Sequence, residues 1–189
     1  FKGIQREELI IVWETRGPLW EDEEIRERLK TVLERLDVSH VTDPFRVLPI
    51  YSGSVVYLRL HGLGSRMYYY QYSDKELVKL HSIVKSLESN RKEVYVLFNN
   101  LSMFEDANRF LSFIETGRFP SLMLKGIDSI RALLLRMQYP LTKSMLMKKI
   151  GWRLVELEGQ NQVRLEDLLS DLPSGTYRNA EEILKAVDI

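Results

Sequence analysis

The stretch Val55-Val-Tyr-Leu-Arg-Leu-His-Gly62 decides the fold. Side chains of an extended chain switch sides at every residue, so Val55, Tyr57, Arg59 and His61 share one face and Val56, Leu58 and Leu60 the other. The second face is apolar throughout, and the first turns polar toward its carboxyl end. A strand covered by helices on one side and delivering chemistry at its carboxyl end on the other has this pattern, and the α/β barrel is built from such strands.

Outward from this stretch the same unit repeats. Upstream, Ile10-Ile-Val-Trp-Glu-Thr-Arg16 predicts a strand, and Ile25, Leu29, Val32, Leu33 and Leu36 then form one helical stripe. Val38-Ser-His-Val-Thr-Asp43 predicts a shorter strand, followed by an irregular connection holding Pro44 and Pro49. Downstream of a tyrosine-rich loop, Ser73-Asp-Lys-Glu76 offers a capping box to a helix carrying Leu77, Leu80, Val84 and Leu87. Glu93 to Asn100 predicts the next strand, and Ser102-Met-Phe-Glu105 a second capped helix with Ala107, Phe110, Leu111 and Ile114 inward.

Strands alternating with helices imply parallel pairing, because a parallel neighbour is reached through a crossover that is usually helical. Four such strands make half of a TIM-type (β/α) barrel, and they leave two open edges. The reading is therefore α/β, four parallel βα units, with a small C-terminal all-α domain. The expected division is residues 1–120 for the half barrel, 121–138 for a helical connector and 139–189 for the helical domain.

In the tail, Thr142 is placed to cap a helix through Met145, Met147, Ile150 and Leu154. Arg153 to Leu157 shows the one hint of a strand, 158–161 reads as a turn and Val163 to Leu172 as a helix. A tight turn from Leu172 to Tyr177 precedes a last helix begun by Asn179.

Composition limits the functional classes. Lys plus Arg and Asp plus Glu balance at 27 each, so no global field draws in a polyanion. With no cysteine, disulfides, thiolate catalysis and sulfur-ligated zinc or iron–sulfur clusters are excluded. No apolar run approaches the roughly 20 residues that span a bilayer, and the start Phe-Lys-Gly-Ile-Gln-Arg has no secretory pattern, so a cytoplasmic location is expected and no membrane partner. A chain beginning at Phe1 is expected to come from something longer.

Trp13-Glu-Thr-Arg16 with Trp20, Thr42-Asp43, Tyr57-Leu-Arg-Leu-His-Gly62, Tyr70-Gln-Tyr-Ser-Asp74 with Glu76-Leu77, and Tyr95-Val-Leu-Phe-Asn-Asn100 with Ala107 resemble, in order and spacing, the YecE-like family of uncharacterised proteins. The resemblance covers about residues 8–118 and implies the C-terminal half of a TIM barrel, with Val55 to Gly62 as its seventh strand. Thr15 and Leu101 depart from the family pattern. The tail, from Tyr139-Pro to the last helix, is similar to a second short domain family of unknown function. Neither resemblance implies an activity.

Parity puts Glu14, Arg16, Arg59, His61 and Asn99 on one face at strand ends, with Asp43 closing the short strand. Glu14 reads as a general base, or as half of a buried ion pair. His61 reads as a proton carrier, or as a histidine packed beside a glycine turn. Arg16 and Arg59 carry flat forks suited to phosphate or carboxylate. Asn99, Tyr70 and Tyr72 complete the substrate-binding candidates, the tyrosines by stacking or by closing over the site. No His-x-His or His-Glu-x-x-His spacing is present and no metal is assigned; Glu14, Asp43 and His61 are the residues a hard-metal site would use. No cofactor follows. His40 lies mid-strand with no evident partner, and Lys143, Lys148, Lys149 and Arg153 read as a solvated basic face.

Two functions fit. One is part of a TIM-barrel enzyme acting on a small anionic or phosphorylated substrate. The other is a non-catalytic module that binds a protein or nucleic acid through the helical tail. Either a homodimer or an N-terminal half is expected to cover the open strand edges.

Overall fold

Helix α1 (Glu23–Leu36) starts where Asp22 accepts a hydrogen bond from the Ile25 amide at 3.1 Å, and it ends at Asp37 in the left-handed conformation. Its stripe buries Leu29 and Leu33, which meet Val38 in one small core. The computed structural model describes residues 9–88, 93–157 and 162–187. By contact the chain divides into two units, Phe1–Leu63 with Lys75–Asn99, and Gly64–Asp74 with Asn100–Ile189.

The first unit holds a four-stranded parallel sheet in the order β1 (Val12–Glu14), β2 (Ser39–Thr42), β3 (Val55–Leu60), β4 (Glu93–Phe98). The register aligns Glu14 with Val41, Val41 with Tyr57 and Tyr57 with Tyr95, so these side chains share a face. Val56, Leu58 and Leu60 point the other way and are 2%, 0% and 0% exposed, as the alternation requires. Helix α2 (Asp74–Leu87) begins one residue after Ser73 and buries Leu77, Leu80 and Val84. The β2 to β3 connection contains no helix, as its prolines suggested.

The second unit departs further from expectation. Helix α3 (Met103–Thr116) has Ser102 at its start without a side-chain cap, and Glu105 accepts from the Met123 amide at 2.7 Å instead of closing a capping box. Leu111 and Ile114 are exposed, and the buried face is Asp106, Arg109 and Phe110.

The tail is not all-helical. After α4 (Gly126–Leu135) come β5 (Leu141–Thr142), α5 (Lys143–Leu146), a π-helical turn over Met147–Gly151, β6 (Leu154–Glu156), β7 (Gln162–Arg164), α6 (Leu165–Leu168), β8 (Thr176–Tyr177) and α7 (Ala180–Ala186). β5 pairs antiparallel with β8, and β6 with β7. Two- and three-residue strands are too short to show alternation. The helical spacing of Leu165, Leu169 and Leu172 arises because several elements send them to one core, shared with Ile130, Leu134, Leu146, Val155 and Ile183. Thr142 does cap α5, accepting from the Met145 amide, but the helix ends before Leu154. The turn expected at 158–161 lies outside the described residues.

Helix α7 is capped as expected: Asn179 Oδ1 accepts from the Glu182 amide at 3.0 Å, and Glu182 accepts from the Arg178 amide at 2.8 Å. Asn179→Ala is expected to lower the urea midpoint of this unit by the equivalent of about 1 kcal/mol. An unchanged midpoint would show that the cap is not stabilising.

Candidate functional site

Glu14 ends β1 with its side chain on the Val41, Tyr57 and Tyr95 face of the sheet. Arg59 and His61 come from the end of β3, two and four residues beyond Tyr57, and therefore rise on that same face. Arg59 Nη1 donates to Glu14 Oε2 in a short charge-assisted bond, and Arg16 Nη2 donates to the same oxygen at 3.2 Å. The other carboxylate oxygen lies 3.2 Å from His61 Nε2. Burial pushes the Glu14 carboxyl up, but the hydrogen bonds and charges of Arg16 and Arg59 outweigh it and hold the group below its ordinary value. Glu14 is thus an ionised carboxylate among two cations and an imidazole.

Asp43, just past β2, fixes the histidine. Its Oδ2 accepts from the His61 backbone amide at 2.9 Å and lies 3.8 Å from His61 Nδ1, while Oδ1 accepts from the Phe45 amide at 3.1 Å. The imidazole is therefore flanked by carboxylates at both ring nitrogens. The exposure is graded: the Asp43 and His61 side chains are 5% and 11% exposed, Arg59 29% and Arg16 56%, so the arginines form the solvent side of the group.

Behind this face stands a second histidine. His40 is 1% exposed; its Nδ1 accepts from the Ile50 amide at 3.3 Å, which leaves Nε2 to donate to Thr15 Oγ1 at 2.9 Å. Burial, aided by the Arg26 charge, lowers its pKa to about 4. The sequence offered no partner for His40 because Thr15 lies 25 residues away and is joined to it only through the pairing of β1 with β2.

The other candidates are placed elsewhere. Asn99 donates its backbone amide to the Leu60 carbonyl at 2.8 Å, and among the described residues its side chain makes no hydrogen bond to the Glu14 group. Tyr70 and Tyr72 are 8% and 0% exposed and pack edge to face with ring centroids 5.1 Å apart. Both belong to the second unit, where the Asn100 side chain holds the Tyr70 carbonyl and Arg109 the Tyr72 carbonyl. Tyr72 therefore offers no surface to a ligand. Among the described residues no group of three His, Asp or Glu is arranged to hold a metal ion. Glu14 is turned to the guanidinium groups and Asp43 to backbone amides.

No helix among the described residues is long and apolar enough to cross a membrane. No curated protein matches the chain. A solved structure of a DUF72 family protein from Enterococcus faecalis V583 is similar at 24% identity and a TM-score of 0.48, covering 60% of this chain and 51% of that one. This chain thus spans about half the length of that relative. The family model described as "Protein of unknown function DUF72" matches residues 4–118, which is most of the chain, and the chain belongs to that family.

Proposed function

We propose that the Glu14 group is the binding and proton-transfer site of a TIM-barrel enzyme acting on a small anionic or phosphorylated substrate. Arg59 and Arg16 hold the anion, His61 carries the proton, and Glu14 with Asp43 orients the imidazole. The observation that carries this reading is the convergence of Arg16, Arg59 and His61 on one carboxylate at the carboxyl ends of parallel strands. A guanidinium already satisfied by Glu14 still presents further N–H donors, so an incoming anion shares the arginines rather than displacing the carboxylate.

The four strands form the later half of a YecE-like barrel, and a second copy of the chain or an N-terminal half covers the β1 and β4 edges. Light scattering is expected to give a mass above that of one chain. A stable monomer that does not aggregate would overturn the completed barrel.

Inorganic phosphate added to the protein is expected to shift the His61 imidazole signals in NMR spectra. Arg59→Ala is expected to weaken that binding by about tenfold or more, the loss of a charge-assisted hydrogen bond. His61 signals indifferent to phosphate, or equally sensitive to it in the Arg59→Ala variant, would remove the anion-binding reading.

A further inference from the structure

We infer that the cleft between the 64–70 loop and residues 147–152 and 164–166 in the second unit binds a nucleotide. The cleft has a volume of about 340 Å³, within the range of small-ligand sites. Its walls interleave cations with aromatic rings: Arg66, Tyr69, Tyr70, Lys148, Trp152 and Arg164. The Arg66 guanidinium lies 3.2 Å from the Tyr69 ring centroid, Arg164 lies 4.1 Å from that of Tyr70, and Trp152 meets Tyr69 edge-on at 6.2 Å. Nucleobases stack on aromatic rings and on guanidinium planes of this kind.

The platform is held in place before any ligand arrives. Arg66 Nη1 donates to the Lys148 carbonyl at 3.2 Å, Trp152 Nε1 to the Lys149 carbonyl at 3.0 Å, and Arg164 to the carbonyls of Trp152 and Gln71 at 3.0 and 3.2 Å. Each of these bonds goes to a neutral acceptor and leaves the cationic charge in place. Among the described residues neither Arg66 nor Lys148 is paired with a carboxylate, and Glu166 is the one acidic residue on the wall. Lys148 also stands on the π-helical turn Met147–Gly151, a rare backbone form that is frequent at functional sites. A purely acidic partner would not use the rings, and an uncharged aromatic would not use the cations. A nucleotide uses both, its base on the Arg66 and Tyr69 stack and its phosphate at Lys148 and the guanidinium edge.

The test is fluorescence anisotropy of the full chain with a short fluorescein-labelled oligouridylate, with AMP and inorganic phosphate as competitors. Binding that weakens with salt is expected, and Arg66→Ala and Lys148→Ala, both at exposed positions, are each expected to lower affinity by about tenfold. Arg66→Lys keeps the charge and removes the plane, so it weakens the oligonucleotide and AMP while leaving phosphate competition unchanged. Oligonucleotide binding without AMP competition assigns the site to a strand, and AMP competition at equal affinity assigns it to a free nucleotide. Absence of binding by both, affinities unchanged in the Arg66→Ala and Lys148→Ala variants, or phosphate competing as well as AMP, would overturn the inference.

Discussion

Replacing Arg109 by Met is expected to destabilise the second unit by about 3–5 kcal/mol, the cost of stranding a buried charge. Arg109 is 1% exposed and Asp106 0%. Its guanidinium bonds the Tyr72 carbonyl at 2.7 Å, Asp106 at 3.4 Å and, in a short contact, Asp74, so one side chain ties the tyrosine loop to α3. Burial pushes the Asp106 carboxyl up to about 7, against the pull of Asn100, the Tyr72 amide and Arg109. Without Arg109 it rises further. The folded variant then keeps a proton that the unfolded chain has lost above the ordinary aspartate range, so its stability falls as pH rises. The deficit relative to wild type is therefore expected to be larger at pH 8 than at pH 5. A cavity alone gives a pH-independent deficit. Urea unfolding followed through Trp152 in a W13F/W20F background separates the two, and adding Asp106→Asn should remove the pH dependence.

The same residues show what the sequence made legible. The alternation from Val55 to His61 located the sheet and the polar strand ends because a fully packed apolar face leaves a period-two trace, and Leu58 and Leu60 are completely buried. It brought Glu14, Arg59 and His61 to one place because parity and parallel register are local rules propagated by hydrogen bonding. Long-range polar pairing leaves no such trace. Arg109 and Asp106 carry no mark of burial in the sequence, since an ion pair buried by a loop 35 residues upstream reads the same as an exposed one. For the same reason the apolar spacing of Leu111 and Ile114 points inward, although the face opposite them is the buried one. Of the short strands of the tail only β6 is foreshadowed, by the alternation of Arg153 to Leu157; β5, β7 and β8 leave no trace because two or three residues cannot display a period.

Acidification from pH 6.5 to about pH 4 is expected to weaken the first unit through His40, and with it the Glu14 group. The folded pKa is depressed from 6.5 to about 4, so within that window the unfolded chain binds a proton that the folded chain refuses. The stability contribution is complete above 6.5 and lost as pH falls toward 4, at up to about 1.4 kcal/mol per pH unit. The structural cause is specific: a protonated His40 would turn an N–H toward the Ile50 amide now bonded to Nδ1, while the Arg26 charge opposes the added proton. The bond from Nε2 to Thr15 ties the end of β1 to β2 directly behind Glu14, so loosening it displaces the carboxylate around which Arg16, Arg59 and His61 are gathered. His40→Gln offers no imidazole to titrate, and the difference between its pH–stability curve and that of wild type isolates the His40 contribution. Glu14, held low by its arginines, begins to lose its contribution only as pH falls below its ordinary value of 4.5, at the acidic end of this window. Parallel curves for the two proteins between pH 6.5 and 4 would show that His40 is not the group that titrates.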